Sequence, residues 1–396
     1  MQITETIYYA GVNDTTIDLF EGQYRVPAGI SYNSYVIMDE KIAVMDTADQ
    51  RKTTEWMENL NEILGDRTPD YLIVSHMEPD HSAGVALLAA AYPGMKLVGN
   101  AKTFQMISQF FGTDYSDRAV IVAEGEKLSL GKHILSFYMA PMVHWPEVMV
   151  TYEETEKILF SADGFGKFGA LDEEDPWSIA NPETEWDPEA RRYYLNIVGK
   201  YGMQVQALLK KAAGLEIIKI CPLHGPILQE NLQHYLEKYN AWSSYEPEQK
   251  GVLVAYASIY GNTKKAAEEV AEQLKAAGTE CVEIRDLARS DMAEVLGQAF
   301  RLDRMVLAAP TYDGGIYPVM EEFLTHLKSK SYQKRAVALV ENGTWAPMTG
   351  RLMRAKLEEM KNITVCEQVV SIRSAMTATN KQEIGKCIEW LQQNIL

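Results

Sequence analysis

Residues 71–81 read YLIVSHMEPDH: the apolar run Tyr71–Val74 is followed at once by His76, Glu78, Asp80 and His81. The run has the length and composition of a buried strand, and a loop leaving such a strand is where side chains converge on a ligand. Four of the six residues from His76 to His81 are metal-binding types, and the spacers Met77 and Pro79 sit where the chain must turn. Three further candidates each flank an apolar strand: His144 in APMVHWPE, Asp163 in LFSADGFG and His224 in ICPLHGP. Alone, each would read as an ordinary structural residue. A dense cluster of acids and imidazoles does not, because such groups repel or demand partners when buried. Four imidazoles and three carboxylates suit two metal ions that share one carboxylate. The other histidines, His133, His234 and His326, read as structural.

Outward from this run, short strand-like segments dominate the first part of the chain. They are Tyr35–Met38, Ile42–Asp46, Lys96–Gly99, Ala119–Val122, Ile134–Met139, Val148–Tyr152 and Ile158–Ala162, with helical stretches at Thr53–Leu64 and Glu189–Leu209. The pattern predicts an α+β or layered β-rich domain. The polar segment 241–251, AWSSYEPEQKG, follows a helical-looking Leu228–Tyr239 and reads as a linker. Beyond it the pattern changes to strict β-α alternation. Val252–Tyr256, Val282–Asp286, Met305–Ala309, Ala336–Glu341 and Val365–Ser371 read as buried parallel strands. Between and after them lie amphipathic stretches at Lys264–Ala277, Asp291–Phe300, Val319–Lys328, Met348–Met360 and Lys381–Gln393. That is a doubly wound, five-stranded α/β sheet. A chain of 396 residues is too long for one ordinary core, and the expected domains are 1–245 and 251–396.

The second part carries its own site. Ser258-Ile259-Tyr260-Gly261-Asn262-Thr263 leaves the first of these strands and opens a helix. Hydroxyls, a glycine and the amides of a helix N-terminus make a phosphate cradle. The run lacks both the GKS/T of a P-loop and the spaced glycines of a dinucleotide fingerprint, so a monophosphate such as that of FMN fits better. Pro310-Thr311-Tyr312-Asp313-Gly314-Gly315 and Asn342-Gly343-Thr344-Trp345 follow the third and fourth strands, at the carboxyl edge where ligands bind in such folds. Tyr312 and Trp345 suit a flat ring, and the glycines allow close backbone approach.

Composition excludes several classes. Residues 1–250 carry 20 Lys+Arg against 37 Asp+Glu, whereas residues 251–396 carry 18 of each. No basic stripe exists for a nucleic-acid backbone. The longest apolar run, Val85–Tyr92, is far short of the ~20 residues of a membrane span. The N-terminus lacks both parts of a secretory signal, which predicts a cytoplasmic protein. Cys221, Cys281, Cys366 and Cys387 show no CxxC spacing and read as buried free thiols.

The first-domain cluster resembles the metallo-β-lactamase superfamily, whose usual pattern is H-x-H-x-D-H. Glu78 stands where a histidine is usual, which makes the site more oxygen-rich and shifts preference from zinc toward iron or manganese. That substitution, with SYNSYVI (31–37) and HWPE (144–147), resembles the flavodiiron proteins; the three second-domain loops resemble short-chain flavodoxin. The resemblance spans nearly the whole chain, without an appended rubredoxin-like module. It implies an N-terminal αββα sandwich with two irons and a C-terminal flavodoxin-like domain with FMN. One iron would take His76, Glu78 and His144, the other Asp80, His81 and His224, with Asp163 bridging. The implied activity is reduction of dioxygen to water, of nitric oxide to nitrous oxide, or both. The implied donor is a rubredoxin or an NADH-linked reductase chain, and the implied assembly is a head-to-tail homodimer or a tetramer. Where several members have an N-terminal histidine, this chain reads Phe20-Glu21-Gly22, placing Glu21 near the expected substrate pocket. The alternative is a zinc-dependent hydrolase fused to a flavodoxin domain, which Glu78 and an unused flavin argue against. A plain electron carrier would leave the seven ligands idle.

Overall fold

The computed structural model describes residues 1–395; Leu396, the last residue of the second expected domain, lies outside them. The chain packs into two compact units, one of residues 1–194 with 203–240 and one of residues 195–202 with 241 onward.

The first unit is built on two sheets. One takes β1 (Ile7–Tyr9), β2 (Tyr35–Ile37), β3 (Ala43–Met45), β4 (Tyr71–Ile73), β5 (Lys96–Gly99) and β6 (Ala119–Ile121), in that order. The other takes β7 (Lys127–Ser129), β8 (Ile134–Met139), β9 (Met149–Glu153), β10 (Ile158–Phe160) and β11 (Lys219–Cys221), also in order. The strands from β3 to β6 are parallel, as are β10 and β11; the other neighbours are antiparallel. Every second residue of β1 to β4 joins one core with Phe137, Met149, Ile158, Phe160 and Cys221 of the facing sheet. The alternate residues Val36, Val44 and Leu72 are buried as well. Both faces are therefore covered, as period two in a sandwich with outer helices requires. The helix Thr53–Leu64 buries Trp56, Leu60 and Leu64 at helical spacing.

The second unit is the doubly wound sheet. Its strands are β12 (Gln249–Tyr256), β13 (Val282–Asp286), β14 (Leu302–Tyr312), β15 (Gly315–Ile316), β16 (Arg335–Asn342) and β17 (Ile363–Ile372). The order β13-β12-β14-β16-β17 is parallel throughout, and β15 folds back on the end of β14. Helices follow as the alternation predicts, capped by Asp291 before Met292–Arg301 and by a Thr377–Asn380 capping box before Ala378–Gln393.

Several expectations are corrected. Glu189–Leu209 is not one helix: Asp187–Ile197 ends, a single 3-10 turn covers Gly199–Tyr201, and Gly202–Ala212 begins anew. A Cβ at Gly202 would lie 2.3 Å from the Ser243 carbonyl, so this close approach requires glycine. Nor is 241–251 an open linker, because the expected Leu228–Tyr239 helix runs instead over Leu232–Ser243 and β12 already starts at Gln249. Trp242 and Tyr245 are buried, which the polar look of the segment concealed. Of the cysteines, Cys281 is only partly buried; all four are free. No helix among the described residues is long and apolar enough to cross a membrane.

Candidate functional site

All seven candidate ligands of the first unit come together at strand ends. The chain leaves β4 with Val74 bonded to the Val98 carbonyl, and the Ser75 amide donates to buried Asp46 Oδ1 at 2.7 Å. Pro79 then opens a single helical turn, Pro79–Ser82, which carries Asp80 and His81. The Met77 amide donates to Glu147 Oε1 at 2.7 Å, so the HWPE segment supplies His144 and also pins the loop of His76 and Glu78. Asp163 follows β10 and His224 follows β11.

The ligand atoms fall into two groups, His76, Glu78, His144 and Asp163 in one, and Asp80, His81 and His224 in the other. In the first, Asp163 Oδ2 lies 3.2 Å from His76 Nε2 and 3.1 Å from His144 Nε2, which is itself 2.8 Å from Glu78 Oε2. In the second, His224 Nε2 lies 3.1 Å from Asp80 Oδ2 and 3.1 Å from His81 Nε2. The other oxygen of Asp163, Oδ1, faces this group at 3.8 Å from His224 Nε2. One carboxylate therefore turns one oxygen to each set.

The electrostatics ask for cations. Both oxygens of Asp80 and of Asp163, both ring nitrogens of His76 and His81 Nδ1 are buried without a hydrogen-bond partner. Uncompensated, such groups cost several kcal/mol each. Burial, with the charge of Glu78, pushes the Asp80 carboxyl up to about 6. Burial also opposes ionisation of Glu78, but the hydrogen bond with His144 and the nearby His76 imidazole, 3.6 Å away, outweigh it. His81 is held well below the usual imidazole value by burial and by His224. Carboxylates and imidazoles facing one another with their lone pairs unspent fit two bound metal ions.

Sequence reasoning missed two neighbours. Phe20, not Glu21, packs edge-on against His224, with ring centroids 5.4 Å apart; Glu21 is exposed at the tip of a small hairpin and accepts from Gln23. Tyr193 is fully buried beside His224, and its hydroxyl has no hydrogen-bond partner. Burial first, then Asp163, Asp80 and Glu78, push its phenol well above the usual value. Nothing in RRYYLN (191–196) marks Tyr193 out from Tyr194; only the fold does.

In the second unit a pocket of about 550 Å³ is lined by Ser258, Ile259, Tyr260, Asn262, Thr263, Pro310, Thr311, Asp313, Gly314, Asn342, Gly343, Thr344 and Trp345. Gly261, Tyr312 and Gly315 do not line it, whereas Ala346, Met348 and Ser374 do. Gly261 makes the turn instead: its φ of 93° is open to glycine at little cost, and the helix Asn262–Ala276 starts directly after it. Gly315 belongs to the β14–β15 hairpin, and Tyr312 stacks edge-on with Tyr317. Ser374 joins because Asn342 and Ser374 exchange bonds, Nδ2 to carbonyl and amide to Oδ1, across two loops far apart in sequence. Tyr260 and Trp345 are 94% and 82% exposed, an aromatic rim left for a flat ligand.

Residues 30–225 match the family described as ODP family beta lactamase, and residues 253–370 match the flavodoxin domain family. An uncharacterised protein of Methanocaldococcus jannaschii is similar at 31% identity, over 98% of this chain and 96% of its own length. A nitric oxide reductase of Moorella thermoacetica is similar at 30% identity, over 82% of this chain and 81% of its own. Among solved structures, the rubredoxin oxygen:oxidoreductase of Desulfovibrio gigas is similar with a TM-score of 0.92 and 25% identity, covering 99% of this chain and 98% of that one. With a β-lactamase-like domain followed by a flavodoxin domain, and relatives matching over most of its length, the chain belongs to the flavodiiron family.

Proposed function

We propose that the protein is a flavodiiron oxidoreductase that reduces dioxygen to water, nitric oxide to nitrous oxide, or both, drawing electrons from a donor protein such as a rubredoxin or an NADH-linked reductase chain. Asp163 carries the reading, because its two oxygens face two separate ligand sets. His76, Glu78 and His144 would hold one iron and Asp80, His81 and His224 the other, with Asp163 between. Three carboxylates among seven ligands favour iron over zinc. The relatives support the same class: one is named a nitric oxide reductase and another a rubredoxin-oxygen oxidoreductase.

When bound, the iron pair supplies electrons and open positions for a diatomic ligand, and FMN stores electrons taken from the donor. The chain's own residues set the conditions. Phe20, Phe168 and Tyr193 pack ring against ring beside His224 and keep bulk water from it. Tyr193 keeps its hydroxyl proton at neutral pH, an unengaged hydrogen-bond donor on a ring packed beside His224. In the second unit Ser258, Ile259, Tyr260, Asn262 and Thr263, shaped by Gly261, would take the FMN phosphate at the helix N-terminus. Pro310–Gly315 and Asn342–Trp345 would flank its ring. We read the assembly as a head-to-tail homodimer, or a tetramer built from it, and the compartment as the cytoplasm, in keeping with four free thiols.

Purified protein made with ample iron should carry about two irons and one FMN per chain. After anaerobic reduction, stopped-flow mixing with dioxygen and with nitric oxide should reoxidise it with at least one of them. Two zincs and hydrolase activity, with no gas-driven reoxidation, would overturn the reading.

A further inference from the structure

Asn33 spends all its hydrogen-bond donors on the loop that carries His224. Its Nδ2 donates to the carbonyls of Pro222 and Gly225, each at 2.8 Å. Its backbone amide donates to the Leu223 carbonyl, also at 2.8 Å. Its Oδ1 accepts from the Tyr9 hydroxyl at 3.0 Å. Carbonyls only accept, so chemistry fixes which way this amide points. Asn33 is fully buried, so no water would replace a lost bond. The bracketed loop is only Pro222 to Gly225, with His224 inside it. Ser31 and Tyr35 add to the hold: the Ser31 carbonyl accepts from His224 Nδ1 at 2.7 Å, its Oγ accepts from the Gly225 amide at 2.8 Å, and the Tyr35 hydroxyl donates to the Pro222 carbonyl at 2.5 Å.

His224 is held by a bracket of its own, whereas the turn of Asp80 and His81 is also tied to the Glu78 and Met77 carbonyls. The loop of His76 and Glu78 is pinned by Glu147 and Asp46. His81 is held through its carbonyl by the amide and hydroxyl of Thr47, and His224 by Ser31 and Asn33. We propose that Asn33 is a positioning residue for the second metal subsite alone: it sets His224 so that Asp80, His81 and His224 close on one ion, and its loss would empty that subsite while leaving the other loaded. Partners that orient a ligand histidine are typically worth about 10–100-fold in metal affinity. The proposal rests on the two-metal reading above.

The test is a chelator titration of the purified holoprotein, counting metals per chain and following the electron paramagnetic resonance spectrum. For Asn33→Ala, one metal of two should leave at about 10–100-fold lower chelator concentration than in wild type. The second should leave where it does in wild type, and the one-iron form should show an isolated high-spin ferric signal. Loss of both metals together, or a wild-type profile, overturns the proposal. If Asn33→Ala does not fold, Tyr9→Phe frees Oδ1 while keeping the buried shape. It should show the same one-metal release at a several-fold lower concentration, and a folded Tyr9→Phe with the wild-type profile overturns the proposal. A wild-type protein that binds two zincs refutes the iron reading, and the same titration then decides Asn33 on zinc. A wild type that binds no metal refutes both.

Discussion

Tyr193 shows how a single buried atom separates stability from function. Its hydroxyl is buried without a partner, an arrangement that costs desolvation and returns no protein hydrogen bond. Tyr193→Phe should therefore leave folding stability unchanged within about 1 kcal/mol, or raise it, and should leave the iron content intact. Turnover with the preferred gas should fall by about tenfold or more, as loss of a positioned donor does. Thermal melting, metal analysis and steady-state rates on one preparation check all three. A variant with full turnover would show that the hydroxyl takes no part in the reaction.

At the scale of elements, the helix Asn262–Ala276 presents its first residue to the pocket. Asn262→Asp places a negative charge next to the expected phosphate. An acid in the first turn is favourable for the helix itself, so the domain should stay folded. FMN affinity should drop by roughly 10–100-fold, about 1.4–2.8 kcal/mol, with iron content unchanged. Fluorescence titration of the apoprotein with FMN measures the shift, and an unaltered dissociation constant would remove the phosphate from this end of the helix.

A second element-level device ties the N-terminal segment to the β8–β9 hairpin. His133 Nδ1 lies 3.0 Å from buried Glu153 Oε1, and its Nε2 meets the Thr6 hydroxyl at 2.9 Å. The Glu153 carboxylate beside the ring raises the His133 pKa against the opposing effect of burial. A raised folded-state value means that the contribution is complete below the unfolded value of about 6.5 and fades as pH rises through the folded value above it. His133→Phe should thus cost more melting temperature at about pH 6 than at about pH 9. A gap that stays constant over that range would exclude the charged pair.

For the whole molecule, the decisive prediction concerns which chains share electrons. In a head-to-tail dimer the FMN of one subunit serves the metal site of the other. His81→Ala, lacking a metal ligand, and Asn262→Asp, lacking firm FMN, should each be impaired alone. Co-expressed with different tags and isolated as the mixed dimer, they should recover a substantial fraction of wild-type activity, since one complete flavin–metal pair remains. A verified mixed dimer without activity would place electron transfer inside one chain.

Much was determined by the sequence alone. H-x-E-x-D-H after a strand, the three later ligands and SIYGNT before a helix are local patterns, and local periodicity needs only neighbours in the chain. The alternation after residue 250 is of the same kind, and each of its five strands formed. Tertiary structure decided what depends on distant segments meeting. Only packing turned the two oxygens of Asp163 to different ligand sets and enclosed Tyr193 beside them. Packing also broke the 189–209 helix, where Gly202 lies against Ser243, and buried Trp242 in what reads as a polar linker. The bond from His224 to Ser31 spans 193 residues, a separation at which no local pattern carries information and only the closing of the fold brings the partners together.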